Sequence, residues 1–399
     1  MLSGLKVGNK KRTISVILFF IAVVCLWVFL LIATGHKISD HSYYDQHTLQ
    51  AKAWLNGHIY LNDPPAHLEL AHYNNKIYVS FPPVPTVLQI PLVIIWQNNT
   101  PNTLFLLIMT FFSMIIACFI LHKFNRNQLL SINLALGVIW GTNAMYLSLS
   151  GAVWHQGQLM ALFFNLLALL FIANGSKYKK IWIIFSGFAL SLAVGCRPLS
   201  LFLAFLYGYL IYKKNDSAEA LIYFVVGMVP VGIALGLYNL IRFDSPLNFG
   251  HRYLNYESQL SHGVFSFHYL GTNLYHAFLH LPERVAGRNF VSFHGRGTAI
   301  WFISPVLFLG FTYYFKRDIQ IREKIAVSVS LILIWGALLL HHSNGWFQFG
   351  YRYSVDMIPV FLFILSRSFK RNYPAITGIV LFSMVINIYG AIWFYLLPK

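Results

Sequence analysis

Three arginines stand where an apolar stretch begins or ends, each beside residues that let a backbone come close. They are Arg197 in Gly195-Cys196-Arg197-Pro198, Arg296 in Gly295-Arg296-Gly297, and Arg352 in Gly350-Tyr351-Arg352-Tyr353. A guanidinium at such a boundary is costly, and its planar fork of donors matches the oxygens of a phosphate. One such arginine has an ordinary reading, snorkelling toward lipid headgroups. Three in the same setting suit convergence on one phosphate, with glycine and proline allowing the close approach. Carboxylates gather in a polar stretch of their own, Asp40-His41-Ser42-Tyr43-Tyr44-Asp45-Gln46-His47, where Asp45 and Asp40 stand out from ordinary solvated loop acids. Another isolated polar group, Trp154-His155-Gln156-Gly157-Gln158, precedes an apolar run. His276 and His280 have i, i+4 spacing and His341-His342 are adjacent, so a divalent metal stays possible. Neither pair has an HExxH-type context, and no metal ligand is assigned.

The elements that must position these groups are set by composition. Of 399 residues, 57% are hydrophobic and 10% charged, and the mean hydropathy is +0.60. Such a chain cannot give its helices the polar face that water requires, which excludes a soluble fold. Its apolar runs are continuous rather than alternating, so helices and not a barrel are expected. The formal charge of +17 does not indicate nucleic acid, because the bases lie in short clusters between apolar runs, where cytoplasmic loops collect them. Cys25, Cys118 and Cys196 are too few and scattered for a disulfide framework or thiolate metal site and read as packing residues.

Apolar runs fall at roughly 14–34, 83–97, 102–121, 129–147, 156–173, 181–196, 199–212, 220–241, 298–315, 325–341, 353–366 and 374–396. The first reads as a retained anchor, too long for a signal-peptide core and without a small-x-small cleavage site. Were every run to cross, the basic connectors around Lys123/Arg126, Lys177/Lys179/Lys180, Lys213/Lys214 and Lys316/Arg317 would lie outside, against the positive-inside rule. The conflict disappears if 83–97 does not cross. That run is short and carries Pro82, Pro83, Pro85 and Pro91, from which we expect no single regular helix but a re-entrant or interfacial segment. The fold class expected is therefore an all-α integral membrane protein, one polytopic domain over 1–399 with about eleven transmembrane helices and a cytoplasmic N-terminus. Two long outer loops, 35–82 and 243–297, then carry most of the acids, and all the histidines except His122 fall on the outer side. In the first loop, Thr48 to Leu55 and the residues leading to His72 are both expected as short surface-lying helices.

In this order the motifs resemble the polytopic lipid-dependent glycosyltransferases of the GT-C class, specifically the clan of protein O-mannosyltransferases and bacterial aminoarabinose transferases. The resemblance rests on the acidic first loop from Asp45 to Gly57, Tyr78-Val79-Ser80-Phe81-Pro82-Pro83, and Arg197-Pro198. It continues through Tyr238-Asn239 with Arg242-Phe243 and Pro246, Arg296-Gly297 with Ser304-Pro305, and Gly350-Tyr351-Arg352-Tyr353 with Pro359. It implies a GT-C-like fold in the cytoplasmic membrane and inverting transfer of a sugar from a polyprenyl-phosphate donor to an extracytoplasmic saccharide, lipid or protein acceptor. A carboxylate must then take the acceptor proton, and cationic donors must stabilise the departing phosphate. The resemblance gives Asp45 the base role with Asp40 in reserve. It gives Arg197, Arg296, Arg352 and Lys76 the donor phosphate, with His155 and Tyr353 as hydrogen-bonding neighbours. The chain departs from the commoner pattern in having no Glu directly after the acid, which leaves the choice between Asp45 and Asp40 open. Rival readings are a transporter or flippase of a lipid-linked saccharide, disfavoured by one-sided polarity without visible repeats, and a polysaccharide polymerase or ligase.

Overall fold

The computed structural model describes residues 21–174, 180–254, 260–284 and 291–396. Lys6, Lys10, Lys11, Arg12, Lys177, Lys179, Glu257 and the start of the first apolar run lie outside them. The described chain is all-α apart from two small antiparallel hairpins. Its helices are α1 (Ile21–Ala33), α2 (Gln46–Leu55), α3 (Val84–Trp96), α4 (Asn102–Asn125), α5 (Gln128–Trp140), α6 (Asn143–Leu147), α7 (Val153–Asn174), α8 (Lys180–Val194), α9 (Ala204–Asn215) and α10 (Glu219–Phe243). After them come α11 (Leu270–Leu274), α12 (Ile300–Ile303), α13 (Pro305–Phe308), α14 (Ile321–Leu340), α15 (Ile358–Ser368) and α16 (Pro374–Leu396). By length and composition α4, α7, α10, α14 and α16 are each able to cross a membrane, and α1, α5, α8 and the segment Pro305–Phe315 are shorter apolar helices. All eleven runs expected to cross contain helix.

One apolar core runs from Val23 on α1 to Phe394 on α16. Lipid-facing surfaces gain nothing from hydrophobic burial, so close backbone approach has to hold such helices together. The α8/α10 pair shows it: a Cβ on Gly187 would stand 1.9 Å from the Phe224 carbonyl oxygen, and one on Gly227 2.0 Å from that of Ile184. Both obstacles are backbone, so the two helices touch only because both positions lack a side chain.

The bundle is polar at both ends, with different chemistry at each. At one end cations cap helix C-termini: Lys370 donates to the Phe124 carbonyl of α4 at 3.0 Å, and Lys214 to the Ile172 carbonyl of α7 at 2.7 Å. There the buried Glu323 of α14 meets Lys213 at 2.6 Å and Arg367 of α15 at 3.2 Å. The other ends of these helices carry Asn102 on α4, Gln156 and Gln158 on α7, Arg352 just before α15, and His341 just after α14. With α4 and α7 about 36 Å and 33 Å long at 1.5 Å per residue, the two polar ends are separated by the full thickness of the apolar core.

Three local expectations are corrected. Residues 84–96 form a single helix despite their prolines. Pro83 caps it and Pro85 occupies the first turn, where no intrahelical N–H is needed, so only Pro91 removes an interior hydrogen bond. At about 20 Å, α3 is too short to span roughly 30 Å of hydrocarbon. The segment before His72 is not a helix: β1 (Leu70–Tyr73) pairs with β2 (Lys76–Val79). Asn74 and Asn75 both take positive φ, 48° and 56°, the two-residue turn whose twist suits a hairpin. Finally, α2 forms as expected but does not float on a surface. Its buried residues are Gln46, His47, Thr48, Gln50 and Ala51, a polar face turned into the protein.

Candidate active site

Asp45 caps the N-terminus of α2, its Oδ1 accepting from the Thr48 N–H at 3.2 Å. From there the carboxylate reaches the first turns of two long helices. Asn102 of α4 donates from Nδ2 to Oδ2 at 2.7 Å, and Gln156 of α7 donates from Nε2 to Oδ1 at 3.2 Å. Gln89 of α3 closes the ring, accepting from Asn102 at 2.9 Å and donating to the Gln156 amide oxygen. The residue is 3% exposed. Burial pushes its carboxyl above the ordinary carboxylate range, against the lowering influence of Thr48, His41 and Asn102. A carboxylate has about four acceptor sites. Among the described residues, three N–H groups take both positions on Oδ1 and one on Oδ2. The Thr48 side chain adds a further hydrogen bond to the carboxylate. Only one of the three N–H groups reaches Oδ2, on the side where the part-exposed His41 holds Nδ1 at 3.7 Å. A substrate hydroxyl can be accepted there.

The rest of the buried face of α2 ties down the same region. His47 pairs with Thr86 of α3 at 2.7 Å, Thr86 donates to Gln50, and Gln50 donates to the Tyr238 hydroxyl of α10 at 2.7 Å. Burial lowers the His47 imidazole to about 3, so it serves as a neutral hydrogen-bonding group. Arg242, 1% exposed, donates to the Val79 carbonyl at 2.7 Å and to Asn239 at 2.8 Å, anchoring the β1/β2 hairpin to α10.

The second cluster lies on the other side of the same turn of α7. Arg352 donates from Nη1 to Gln158 Oε1 at 2.9 Å and from Nε to the Gly345 carbonyl at 3.3 Å. Arg197 and Asp356 form a close ion pair, Nε to Oδ1 2.6 Å and Nε to Oδ2 2.7 Å. The Tyr353 ring lies between the two guanidiniums, whose carbons are 5.0 Å (Arg197) and 4.9 Å (Arg352) from its centre. Gln156 and Gln158 are two residues apart, about 200° around the helix, and so point to opposite sides. Gly157 between them lets the Arg197 turn approach: a Cβ there would stand 3.3 Å from the Cys196 carbonyl. That turn is also pinned by α3, since the Val84 N–H donates to the Gly195 carbonyl at 3.0 Å. His155 is buried on the same turn, 3.1 Å from the Ser150 carbonyl through Nδ1.

The two guanidiniums, Arg197 part-exposed and Arg352 buried, differ in charge balance. Arg197 is neutralised by Asp356. Arg352 is 7% exposed and, among the described residues, donates only to neutral oxygens, with Asp356 near enough to act on it through space. A buried cation held by neutral dipoles favours an anion beside it.

Gln348 links this cluster to Arg296. Its Oε1 accepts the Arg352 N–H at 3.0 Å, its Nε2 donates to the Arg296 carbonyl at 3.2 Å, and its own N–H donates to the Gly295 carbonyl at 2.8 Å. The Arg296 side chain is exposed. Beside it His276, His280 and His294 bring ring nitrogens within 4.8 Å of one another. Burial lowers His276 to about 4, and His294 is lowered too.

Two anticipated residues stand apart. Asp40 spends its carboxylate on the Lys37 N–H at 2.7 Å, closing a local turn. Lys76 sits on β2 with its ammonium over the Tyr60 ring at 5.0 Å, on the hairpin and apart from the Arg197 and Arg352 cluster. Sequence reasoning passed over Asn102, Gln89, Asp356 and His294 as site residues. The available signals were an amide inside or opening an apolar run (Gln89, Asn102) and a carboxylate four residues after Arg352 (Asp356).

No protein-family model and no curated protein matches the sequence. Two solved structures of ArnT from Cupriavidus metallidurans share its architecture. The form bound to undecaprenyl phosphate aligns at TM-score 0.54 and 12% identity, over 93% of this chain and 63% of that one. The fold is that of ArnT. The apo form of ArnT aligns at TM-score 0.51 and 11% identity, over 93% of this chain and 62% of that chain. The chain thus matches just under two thirds of the length of ArnT. At these identities the likeness extends to the arrangement of helices, and the chemistry has to be argued from the residues above.

Proposed function

We propose that the chain is an inverting glycosyltransferase that moves a sugar from a polyprenyl-phosphate donor to an acceptor on the outer side of a bacterial cytoplasmic membrane. The observation that carries this reading is the buried guanidinium of Arg352, which donates only to neutral oxygens among the described residues and is joined to the Asp45 carboxylate through a single turn of α7. Such a pair supplies what the reaction needs. An acceptor hydroxyl gives its proton to Asp45 as its oxygen bonds to the anomeric carbon, and the bond from that carbon to the phosphate oxygen breaks with the electron pair leaving on the phosphate. Arg352 takes up the charge of the departing phosphate, assisted by Arg296 through the Gln348 bridge. Arg197, paired with Asp356, positions Tyr353 and the edge of the pocket. A phosphate is a competent leaving group, so no acid is required. Eleven crossings with a cytoplasmic N-terminus put the lysine-capped end inside and the Asp45 end outside, and the exposed apolar helix faces accommodate the prenyl tail.

The test is transfer itself. Membranes from cells making the chain, supplied with polyprenyl-phosphate sugars labelled in the sugar, are expected to incorporate label into an envelope fraction. Membranes lacking the chain are expected not to. Equal incorporation by both would remove the assignment, and label that crosses the membrane still attached to its lipid would favour transport.

A further inference from the structure

We propose that His276, His280 and His294 form a zinc-binding site in the second long loop, distinct from the Asp45 and Arg352 clusters. The three come from two separate segments. His276 lies in a π-helical turn, Tyr275–Leu279, that follows α11, and His280 is the residue that caps it. His294 lies beyond β4 (Val291–Ser292), the strand that pairs with β3 (Glu283–Arg284). A π-turn costs regular hydrogen bonding and tends to mark a working position. Here it sets two imidazoles with Nδ1 atoms 3.1 Å apart. Two nitrogens bound to one tetrahedral zinc at about 2.0–2.1 Å are about 3.3 Å apart, so His276 and His280 already stand at the separation of a ligand pair. His294 completes the set, its ring centre 4.4 Å from that of His280, with ligand atoms of all three within 4.8 Å.

The surroundings are suited to the metal. If His280 binds through Nδ1, its Nε2 carries the proton, and the exposed Glu283 carboxylate stands 3.7 Å from Nε2, an ion-pair distance from which a short side-chain movement would make the hydrogen bond that orients metal-bound histidines elsewhere. Three imidazoles without a thiolate, leaving a fourth position for water, form a donor set that suits zinc. The loop is well braced: the His280 carbonyl accepts the Ala299 N–H at 2.8 Å, and the Trp301 indole donates to the Phe278 carbonyl at 2.8 Å. The site also reaches Arg296, whose peptide N–H now donates to His294 Nδ1 at 3.2 Å. A neutral imidazole has one ring-nitrogen lone pair. Zinc on His294 therefore displaces that contact, so metal occupancy changes how Arg296 is held; this last consequence rests on the reading of Arg296 as a phosphate ligand, whereas the metal site does not.

The experiment uses the full chain in detergent without a polyhistidine tag, stripped with EDTA, re-equilibrated with micromolar zinc and analysed for metal per chain. Wild type is expected to retain about one zinc and, with cobalt, to show the visible absorption of a tetrahedral ion. His294→Gln and His276→Gln are each expected to weaken zinc binding by about tenfold or more, with unchanged melting of the metal-free proteins. His342→Gln is expected to bind as wild type does. Stripped wild type that takes up no zinc, or a His294→Gln protein that binds zinc as tightly as wild type, would overturn the proposal. Should the variants fail to fold, wild-type stoichiometry and the cobalt spectrum decide it. These readouts involve no sugar transfer, so failure of the glycosyltransferase reading leaves them standing.

Discussion

Asp45→Asn is expected to lower the rate of sugar transfer by about 10²–10⁴-fold, the usual contribution of a positioned general base, with little change in donor affinity. The substitution keeps the size of the group and a cap for α2 but removes the basic carboxylate that the acceptor hydroxyl needs. Asp40→Asn is expected to stay close to wild type, since its carboxylate serves the Lys37 turn and the nearby His36. The pH profile gives a second check. Because burial raises the Asp45 carboxyl, the rate is expected to fall with decreasing pH through an apparent pKa above the ordinary Asp range. Stability has the opposite sign. A carboxyl whose folded pKa is raised binds its proton more tightly in the native state, so wild type gains stability as pH falls through that value toward the unfolded one. Its melting temperature minus that of Asp45→Asn is therefore expected to grow on acidification. Unaltered turnover in a folded Asp45→Asn protein would end the base assignment.

Arg352→Gln is expected to weaken binding of undecaprenyl phosphate by about 30-fold, corresponding to about 2 kcal/mol for losing charge-assisted hydrogen bonds to a phosphate. Binding of uncharged undecaprenol should not change. Arg352→Lys is expected to recover only part of the loss, because a point charge cannot reproduce the fork that reaches both Gln158 and an anion. Arg197→Gln is predicted to behave differently. It strands the buried Asp356 carboxylate, so its main effect should be a lower melting temperature. Phosphate and alcohol binding that fall together in Arg352→Gln would point to a packing role in place of a phosphate contact. Titrations in nanodiscs against both lipids separate these cases.

Much of the architecture was legible because the apolar runs dictate it: all eleven runs expected to cross contain helix, and the oddity of 83–97 was visible in its prolines. Its helical state was not, because prolines at a helix start act as formers and only Pro91 acts as a breaker. The β1/β2 hairpin was missed at Asn74-Asn75, a turn signal that sits between strands of only four residues. The charged candidates were legible only in part, since Asp356 was missed and Asp40 and Lys76 stand apart. Arg197, Arg352 and Tyr353 do come together, and Asp45 is joined to them by the glutamines of the motif around His155. The uncharged members, Asn102 and Gln89, were hidden because an amide in an apolar run has no period or motif of its own. Its purpose appears only when α3 and α4 are seen to converge on the same carboxylate. Lys76 misled because a cation near a Pro-Pro pair in sequence proved to stand on a hairpin against Tyr60.

The most direct test of the central claim follows the fate of the donor bond. The purified chain in nanodiscs is given a polyprenyl-phosphate sugar labelled in both the sugar and the lipid, together with an envelope acceptor fraction. Free polyprenyl phosphate is predicted to appear in step with sugar on the acceptor, one for one, and neither should appear with Asp45→Asn. Recovery of the donor intact, with sugar and lipid labels still together after prolonged incubation of folded wild-type protein, would contradict it.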